Sequence, residues 1–268
     1  MDGGTKTATA LISKDVQFAI TAPSGAIAAS AGGADLLLIG GLVNTPNYDF
    51  VVQPTIKTAA DLKGKKVGVS GLSGSSYTVT RIALRDIFKL DPDKDVTYVT
   101  IGTEPQREAA LLAKQIDGTV MNPDLSVKAV KDGLVILESM WNKPIVYQHT
   151  GIAASKAYIA ANKDVVDRFV KSMVQASGFI RDTKNKDAVV KSLSTYLKLD
   201  DKDVLESGYK RMSQVLLQCA PYATIDGLKA IIAENKAAVE KAMTAESMAD
   251  NSFVKALDDS GFVKANCK

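Results

Sequence analysis

Short apolar segments alternate with amphipathic segments through the first half of the chain. Apolar runs of about four to eight residues between turn signals predict strands, and a period near 3.6 predicts helices. The predicted strands are Val16–Ile20, Leu36–Val43, Lys66–Ser70, Val96–Ile101, Gly118–Met121 and Leu134–Leu137, with an extended segment at Asp49–Gln53. The predicted helices between them are Thr5–Ser13, Ala22–Ser30, Tyr77–Phe88, Pro105–Lys114 and Pro123–Lys131. This alternation is typical of a mainly parallel α/β sheet.

The last third of the chain has a different, helical pattern. The predicted amphipathic helices are Val165–Ile180, Lys186–Tyr196, Asp201–Gln214 and Ile225–Ala242, with start signals at Asn162, Asp200 and Thr224. Two breaks in the earlier pattern, Asn44–Tyr48 and Trp141–Pro144, indicate crossings between two sheets. A helical region after an α/β core indicates helices that pack against the core and cover it.

Composition narrows the class of protein. The 268 residues are 46% apolar and 24% charged, which suits one large domain or two modest lobes. A net charge of +3, with lysines spread along helices, argues against a nucleic-acid partner. The apolar run Ala34–Val43 is about half of the ~20 residues needed to cross a bilayer, so no membrane span is predicted.

The segment Ile56–Arg81 carries the clearest chemical signal. Its pattern predicts a buried strand that is followed by a Gly/Ser loop and then by a helix. Such a loop directs backbone N–H groups and hydroxyls toward one point, where the helix dipole also favours an anion. Ser and Gly are equally common as turn and N-cap residues, so a purely structural loop is the alternative.

The sequence gives little support for a metal site or for catalytic residues. Cys219 and Cys267 lack the spacing of a zinc site, and they form either one disulfide or two unpaired thiols. His149 is the only histidine, and no nucleophile or partner carboxylate for it is recognisable. The acidic run Asp91–Asp95 lacks the Gly and Glu of a calcium loop. We therefore predict no metal and no cofactor.

Four segments in order carry a resemblance to a known family. They are GGTKTATALISKDVQFAI (Gly3–Ile20), AGGADLLLIGGL (Ala31–Leu42), DLKGKKVGVSGLSGSS (Asp61–Ser76) and HTGIAASKAYIAANKDVVDRFVKSMVQA (His149–Ala176). The set resembles the nitrate/sulfonate/bicarbonate and thiamine-precursor branch of periplasmic substrate-binding proteins, which serve ABC importers. The resemblance implies an α/β, type II periplasmic-binding-protein fold with two lobes, a ligand cleft and a helical C-terminal region. Lobe one is expected at 1–48 and 150–268, and lobe two at 49–149.

The resemblance also implies a function. The chain is expected to be a non-enzymatic solute-binding component that closes on its ligand by a hinge motion and presents it to an ABC transporter permease. A periplasmic or lipid-anchored extracytoplasmic location follows, and an oxidising compartment favours a Cys219–Cys267 disulfide. The alternatives are an enzyme like the thiamine-pyrimidine synthases, which rely on a histidine and a cysteine-rich iron-binding stretch, and a ligand-sensing domain.

Members of the family normally carry a signal peptide, a strand, a helix and a second strand ahead of the segment that here starts at Asp2. We therefore expect an N-terminally shortened chain without a signal peptide. Missing strands would expose an edge of lobe one, and such an edge favours pairing with another chain. The expectation is a less stable monomer or a strand-exchanged dimer.

Candidate ligand-binding residues follow from the expected architecture. In open α/β sheets ligands lie at the carboxyl ends of strands, and clefts favour domain interfaces. The candidates are Thr21, Ala22, Pro23, Ser24, Ser70, Ser73, Gly74, Ser75, Ser76, Thr103, Gln106, Asn122, His149 and Thr150. We expect about half of them to contact ligand, because pockets use few polar groups.

Several candidates have a structural alternative. Ser24 and Thr103 are also helix-capping residues, Asn122 also suits the turn before a proline, and His149 suits a hydrogen bond near the hinge. Tyr48 and Trp141 lie near the crossings, where aromatic side chains pack or stack on a ligand. The ligand stays open between a sulfonate-, nitrate- or carboxylate-like anion and a neutral or pyrimidine-like ring. The nearest arginines, Arg81 and Arg107, lie a turn or more into their predicted helices.

Overall fold

The computed structural model describes residues 4–267 and divides the strands between two sheets. The strands are β1 Ala19–Thr21, β2 Leu36–Val43, β3 Asp49–Val52, β4 Lys65–Val69, β5 Val96–Thr100, β6 Gly118–Met121, β7 Val135–Ser139 and β8 Thr150–Ser155. The helices are α1 Gly4–Ile12, α2 Pro23–Ala31, α3 Ser75–Ile82, α4 Glu104–Leu112, α5 Pro123–Lys131, α6 Lys156–Ala161, α7 Lys163–Arg181, α8 Lys186–Leu197, α9 Lys202–Arg211, α10 Ile225–Ala233, α11 Lys236–Glu240, α12 Ser252–Asp259 and α13 Phe262–Asn266.

The two sheets are less parallel than the sequence predicts. One has three strands in the order β1-β8-β2, and both of its pairings are antiparallel. The other has the order β5-β4-β6-β3-β7, with parallel pairs on either side of β4 and antiparallel pairs on either side of β3. The prediction of a mainly parallel sheet is therefore wrong, because β3 and β8, which follow the two crossings, run against their neighbours.

Some predicted helices also differ from the observed ones. The prediction of one helix over Ile225–Ala242 is wrong, because Asn235 accepts a hydrogen bond from the N–H of Ala238 and starts a separate helix, α11. The start signal of α9 is Asp201 rather than Asp200, and its carboxylate accepts from two backbone N–H groups of the first turn. The chain continues α9 as a π-helical segment, Met212–Leu216.

Two crossings connect the sheets, as the breaks in the pattern predict. The chain passes from β2 to β3 through residues 44–48, and from β7 to β8 through residues 140–149. We refer to residues 4–48 and 150–267 as the three-stranded half and to residues 49–149 as the five-stranded half. The lobe boundaries at 48 and 149 remain a prediction.

The two halves contact each other through apolar packing and through charge. One cluster of buried side chains runs through both halves and includes Ile27 of α2 and Val79 of α3. Beside it, Glu234 at the end of α10 accepts from Arg81 Nε at 2.6 Å and also pairs with Arg85. The Glu234 side chain is only 3% exposed, so these two arginines replace most of its lost hydration.

The cysteines form a disulfide. Cys219, after the π-helical segment, is bonded to Cys267 beyond α13, across a sequence separation of 48. The predicted Cys219–Cys267 disulfide, which the resemblance favours, is therefore confirmed. No described helix is both long enough and apolar enough to cross a membrane.

We predict that Glu234→Gln lowers the free energy of unfolding by about 2 kcal/mol, because two partly desolvated arginines lose a charged partner. Arg81 keeps Asp93 and Arg85 keeps Asp86, which limits the loss. Urea denaturation measures the change. Asp259→Asn, which removes an exposed pair with Lys255, is the control and should cost less than about 0.5 kcal/mol. Equal losses in the two variants would contradict a buried interaction.

Candidate functional site

The Gly/Ser loop after β4 closes partly on itself. The N–H of Ser70 donates to Ser76 Oγ at 2.8 Å, and the two hydroxyl oxygens lie 2.9 Å apart. Gly74 is the N-cap residue of α3, and a Cβ there would collide with the Ser70 hydroxyl. Ser73 is exposed. The loop therefore uses Ser70 and Ser76 to hold its own shape.

Ser75 connects this loop to the first crossing. Its hydroxyl lies 2.9 Å from the Tyr48 hydroxyl. Tyr48 is 6% exposed, and burial raises the pKa of its hydroxyl to about 12, so the group is neutral at physiological pH. The hydroxyl pair joins the start of α3 to the chain segment that leaves the three-stranded half.

His149 lies against the same tyrosine from the second crossing. The two ring centroids are 4.9 Å apart in an edge-on arrangement. The N–H of Asn47 donates to His149 Nδ1 at 3.4 Å, which assigns the ring proton to Nε2. Burial lowers the pKa of His149 to about 4, so the imidazole is neutral. Tyr48, Ser75 and His149 form an uncharged polar cluster between the crossings.

The structure adds residues that the sequence analysis did not nominate. The Tyr147 ring centroid lies 6.2 Å from that of His149, and its hydroxyl makes no hydrogen bond with the described residues. Asn47 Oδ1 is likewise buried and unpartnered. The signal in the sequence was only the grouping of polar and aromatic residues at the two crossings. We call Asn47, Tyr48, Ser75, Tyr147 and His149 the crossing cluster.

The loop after β1 approaches the second crossing through the register of the three-stranded sheet. Thr21 is buried and lies opposite Gly151, so Ala22 and Pro23 follow next to the start of β8, where Thr150 lies. Ser24 is 2% exposed, and its hydroxyl has no partner among the described residues. The alternative that Ser24 caps a helix fails, because the N-cap residue of α2 is Ala22.

The remaining candidates are engaged within the five-stranded half. Thr103 and Gln106 form a capping box at the start of α4, and Asn122 donates from both its backbone and side-chain nitrogens to Glu104, each at 2.8 Å. Burial raises the pKa of that carboxyl group. Arg107 donates to the carbonyls of Gly102 and Val120. Ligand contact by Thr103, Gln106 and Asn122 stays a prediction.

One cavity borders the crossing cluster at Tyr147, and another lies apart from the candidate residues. The first, of about 510 Å³, is lined by Asn44, Pro144, Ile145, Val146, Tyr147, Thr224, Ile225 and Asp226. The other, of about 280 Å³, lies between α5 and the α8–α9 region. Within residues 4–267, the His, Cys, Asp and Glu side chains do not form a group of three that suits a metal ion.

We predict that His149 makes stability depend on pH between about 6.5 and 4. The unfolded chain binds a proton at His149 in this window and the folded protein does not, so stability falls as pH drops. The loss should be about 1–3 kcal/mol, given that the ring is partly exposed. Urea denaturation at pH 7 and pH 4.5 measures it.

His149→Gln is the matched variant for this pH experiment, and it should lose less stability than the wild type over the same interval. Glu104 acts in the opposite sense, since a raised carboxyl pKa favours the folded state as pH falls. The difference between the two proteins in their loss of stability gives the contribution of the imidazole. Parallel pH profiles would show that His149 is not desolvated in the folded protein.

Two curated proteins are similar to this chain over part of their length. The chain is 27% identical over 199 residues to a "Putative ABC transporter periplasmic binding protein" of Brachyspira hyodysenteriae, covering 74% of this chain and 52% of that protein. It is 27% identical over 163 residues to a "Putative thiamine biosynthesis protein" of Haemophilus influenzae, covering 58% and 49%. The chain thus spans about half the length of the curated relatives it matches.

Solved structures share the fold. The periplasmic aliphatic sulphonate binding protein SsuA from Escherichia coli superposes with a TM-score of 0.69 at 20% identity, over 90% of this chain and 80% of that one. The predicted periplasmic-binding-protein fold is therefore confirmed. The model of the family described as NMT1/THI5 like matches residues 2–185, which is more than half of the 268 residues. The chain belongs to the NMT1/THI5-like family.

Proposed function

We propose that this protein is the solute-binding component of an ABC import system, working outside the cytoplasm. It binds a small solute between its two halves, closes by a hinge motion at the crossings, and presents the loaded form to a membrane permease. Membership of the NMT1/THI5-like family and the name of the Brachyspira relative support this function. The solute is a sulfonate- or nitrate-like anion or a pyrimidine-like ring.

The crossing cluster is the observation that carries the proposal. Tyr147 Oη and Asn47 Oδ1 are buried without a partner among the described residues, beside the neutral side chains of Tyr48 and His149. A buried polar group without a partner costs about 1–3 kcal/mol, and each such group in a native protein calls for an explanation, such as a bound ligand or water. A small solute with both donor and acceptor atoms would satisfy them.

The chemistry of the site favours binding over catalysis. A synthase-like enzyme would use a histidine together with free cysteines, and both cysteines here are held in the disulfide. His149 already accepts the Asn47 N–H at Nδ1, and burial holds the pKa of its imidazole at about 4. A group with that pKa is a weak base at pH 7, but its Nε2–H is a good donor to a ligand.

We predict that Tyr147→Phe separates binding from folding. Removing an unpartnered buried hydroxyl should leave the unliganded protein as stable as the wild type or more stable. The affinity for the solute should fall roughly tenfold, because one hydrogen bond to the solute is lost. Thermal shift against methanesulfonate, nitrate, benzoate and 4-aminopyrimidine identifies the class, and calorimetry then gives the affinity of each variant.

Tyr209→Phe is the matched control for the tyrosine experiment. Tyr209 is 3% exposed and its hydroxyl is also without a partner in the described part of the chain, but it lies on α9 rather than at the crossings. Its removal should not change affinity. Wild-type protein that none of the four compounds stabilises, or equal affinities in all three proteins, would count against a solute site at the crossings.

A second copy of this chain is the further partner that we propose, through the free edge of β1. Within the described residues β1 pairs only with β8, and Ile20 at its centre is 52% exposed. An edge strand that carries an exposed apolar side chain favours pairing with another strand. The expected shortening of the chain at Asp2 falls outside the described residues.

We predict a concentration-dependent dimer in size-exclusion chromatography with light scattering. Ile20→Lys should shift it toward monomer, because a charged side chain on an edge strand opposes pairing. Ile12→Lys is a matched control, since Ile12 is also 52% exposed but lies on a helix. A wild-type monomer at every concentration would contradict the proposed dimer.

A further inference from the structure

Arg211 lies where the helical C-terminal region meets the crossings. It is the last residue of α9, and the π-helical segment Met212–Leu216 follows it directly. The chain is then fixed to the end of β2, because Leu217 pairs with Val43 and the N–H of Gln218 donates to the Leu42 carbonyl at 2.7 Å. Single π-helical turns within α-helices occur frequently at functional sites.

The guanidinium of Arg211 is held by one aromatic contact. Its central carbon lies 5.4 Å from the ring centroid of Trp141, near the start of the second crossing. The side chain makes no ion pair or hydrogen bond with any other residue of the described range 4–267. Arg211 is half-buried, and desolvation lowers the pKa of its guanidinium, which nevertheless stays charged at physiological pH.

The acidic residues nearby do not neutralise it. Asp49 and Asp124 act on Arg211 only at a distance. The Asp49 carboxylate already accepts hydrogen bonds from the hydroxyls of Ser126 and Ser139. Asp49 lies opposite Met121, the last residue of β6, and opposite Ser139, two residues before Trp141. Arg211, which contacts Trp141, therefore lies near the carboxyl end of a parallel strand, where α/β sheets bind ligands.

The other arginines near the candidate residues are engaged. Arg81 is paired with Asp93 and Glu234, and Arg107 is bonded to main-chain carbonyls. Arg211 is therefore a partly desolvated cation with its donors unused. A guanidinium presents paired N–H donors that match the oxygens of a sulfonate, carboxylate or phosphate, and burial strengthens that interaction.

We infer that Arg211 is a specificity-determining residue that binds an anionic group of the solute against the face of Trp141. The inference rests on the proposed function, and it assigns to α9 the role of closing the site from the three-stranded half. The solute then carries a sulfonate, carboxylate or phosphate group, and its remaining atoms extend toward the crossing cluster.

The test compares wild-type protein with Arg211→Gln and Arg211→Lys. The probes are methanesulfonate, benzoate, inorganic phosphate and the neutral ring 4-aminopyrimidine, each measured by thermal shift and then by calorimetry. At least one anion should bind the wild type. Arg211→Gln should weaken that anion at least tenfold, and Arg211→Lys should weaken it less, because it keeps the charge and loses only the paired donors.

Arg168→Gln is the control, since Arg168 also carries a guanidinium but pairs with Asp164 on the exposed face of α7. It should leave all affinities unchanged. Equal anion affinity in wild type and Arg211→Gln overturns the inference, as does a wild type that no anion stabilises. Binding of 4-aminopyrimidine alone would overturn the role of Arg211 and keep the proposed function, whereas no binding of any probe would count against both.

Discussion

The arrangement of the site depends on the buried amide of Gln148. Its Nε2 lies 3.0 Å from the Val43 carbonyl at the end of β2, 2.7 Å from Asn44 Oδ1 on the first crossing, and 3.0 Å from the Thr150 carbonyl at the start of β8. Its Oε1 accepts from the N–H and hydroxyl of Thr224, which precedes α10. One fully buried side chain thus fixes three chain segments to each other. The close approach leaves no room for a Cβ at Gly41 or Gly227, where it would collide with the Gln148 side chain or with Thr224.

Charge is distributed according to the cost of burying it. The side chains of the crossing cluster are uncharged, because desolvation raises the pKa of Tyr48 to about 12 and lowers that of His149 to about 4. The charged groups lie around this centre. Glu234 is neutralised by two arginines, and Arg211 keeps one face toward Trp141. Under the proposed function, a solute that enters between the halves meets neutral hydrogen-bonding groups at the crossings and a cation near α9.

The sequence predicts local features of this fold well and long-range ones poorly. The bounds of β2, β6 and α5 agree with the predicted ranges, because each segment is apolar or amphipathic and ends at a clear turn signal. The direction of β3 and β8 depends on which strands they pair with, and no local pattern encodes that choice. The candidate loops were predicted from the positions at which the strands end. Tyr147 and Gln148 were missed because their importance comes from contacts with distant segments, and a hydrophobic pattern cannot distinguish an unpartnered hydroxyl from a satisfied one.

For a solute-binding protein that closes by a hinge motion, the closed form must not be too stable without its ligand, since a ligand shifts an equilibrium only by its differential affinity. The contacts between the halves meet this requirement. A buried ion pair such as that of Glu234 gives little net stability, because the desolvation of the charges offsets their attraction. The unpartnered buried hydroxyl of Tyr147 costs the unliganded protein about 1–3 kcal/mol. Under the proposed function, a solute that supplies the missing partner removes this cost on binding. Under the proposed function, the same polar atoms that recognise the solute therefore also couple its binding to closure.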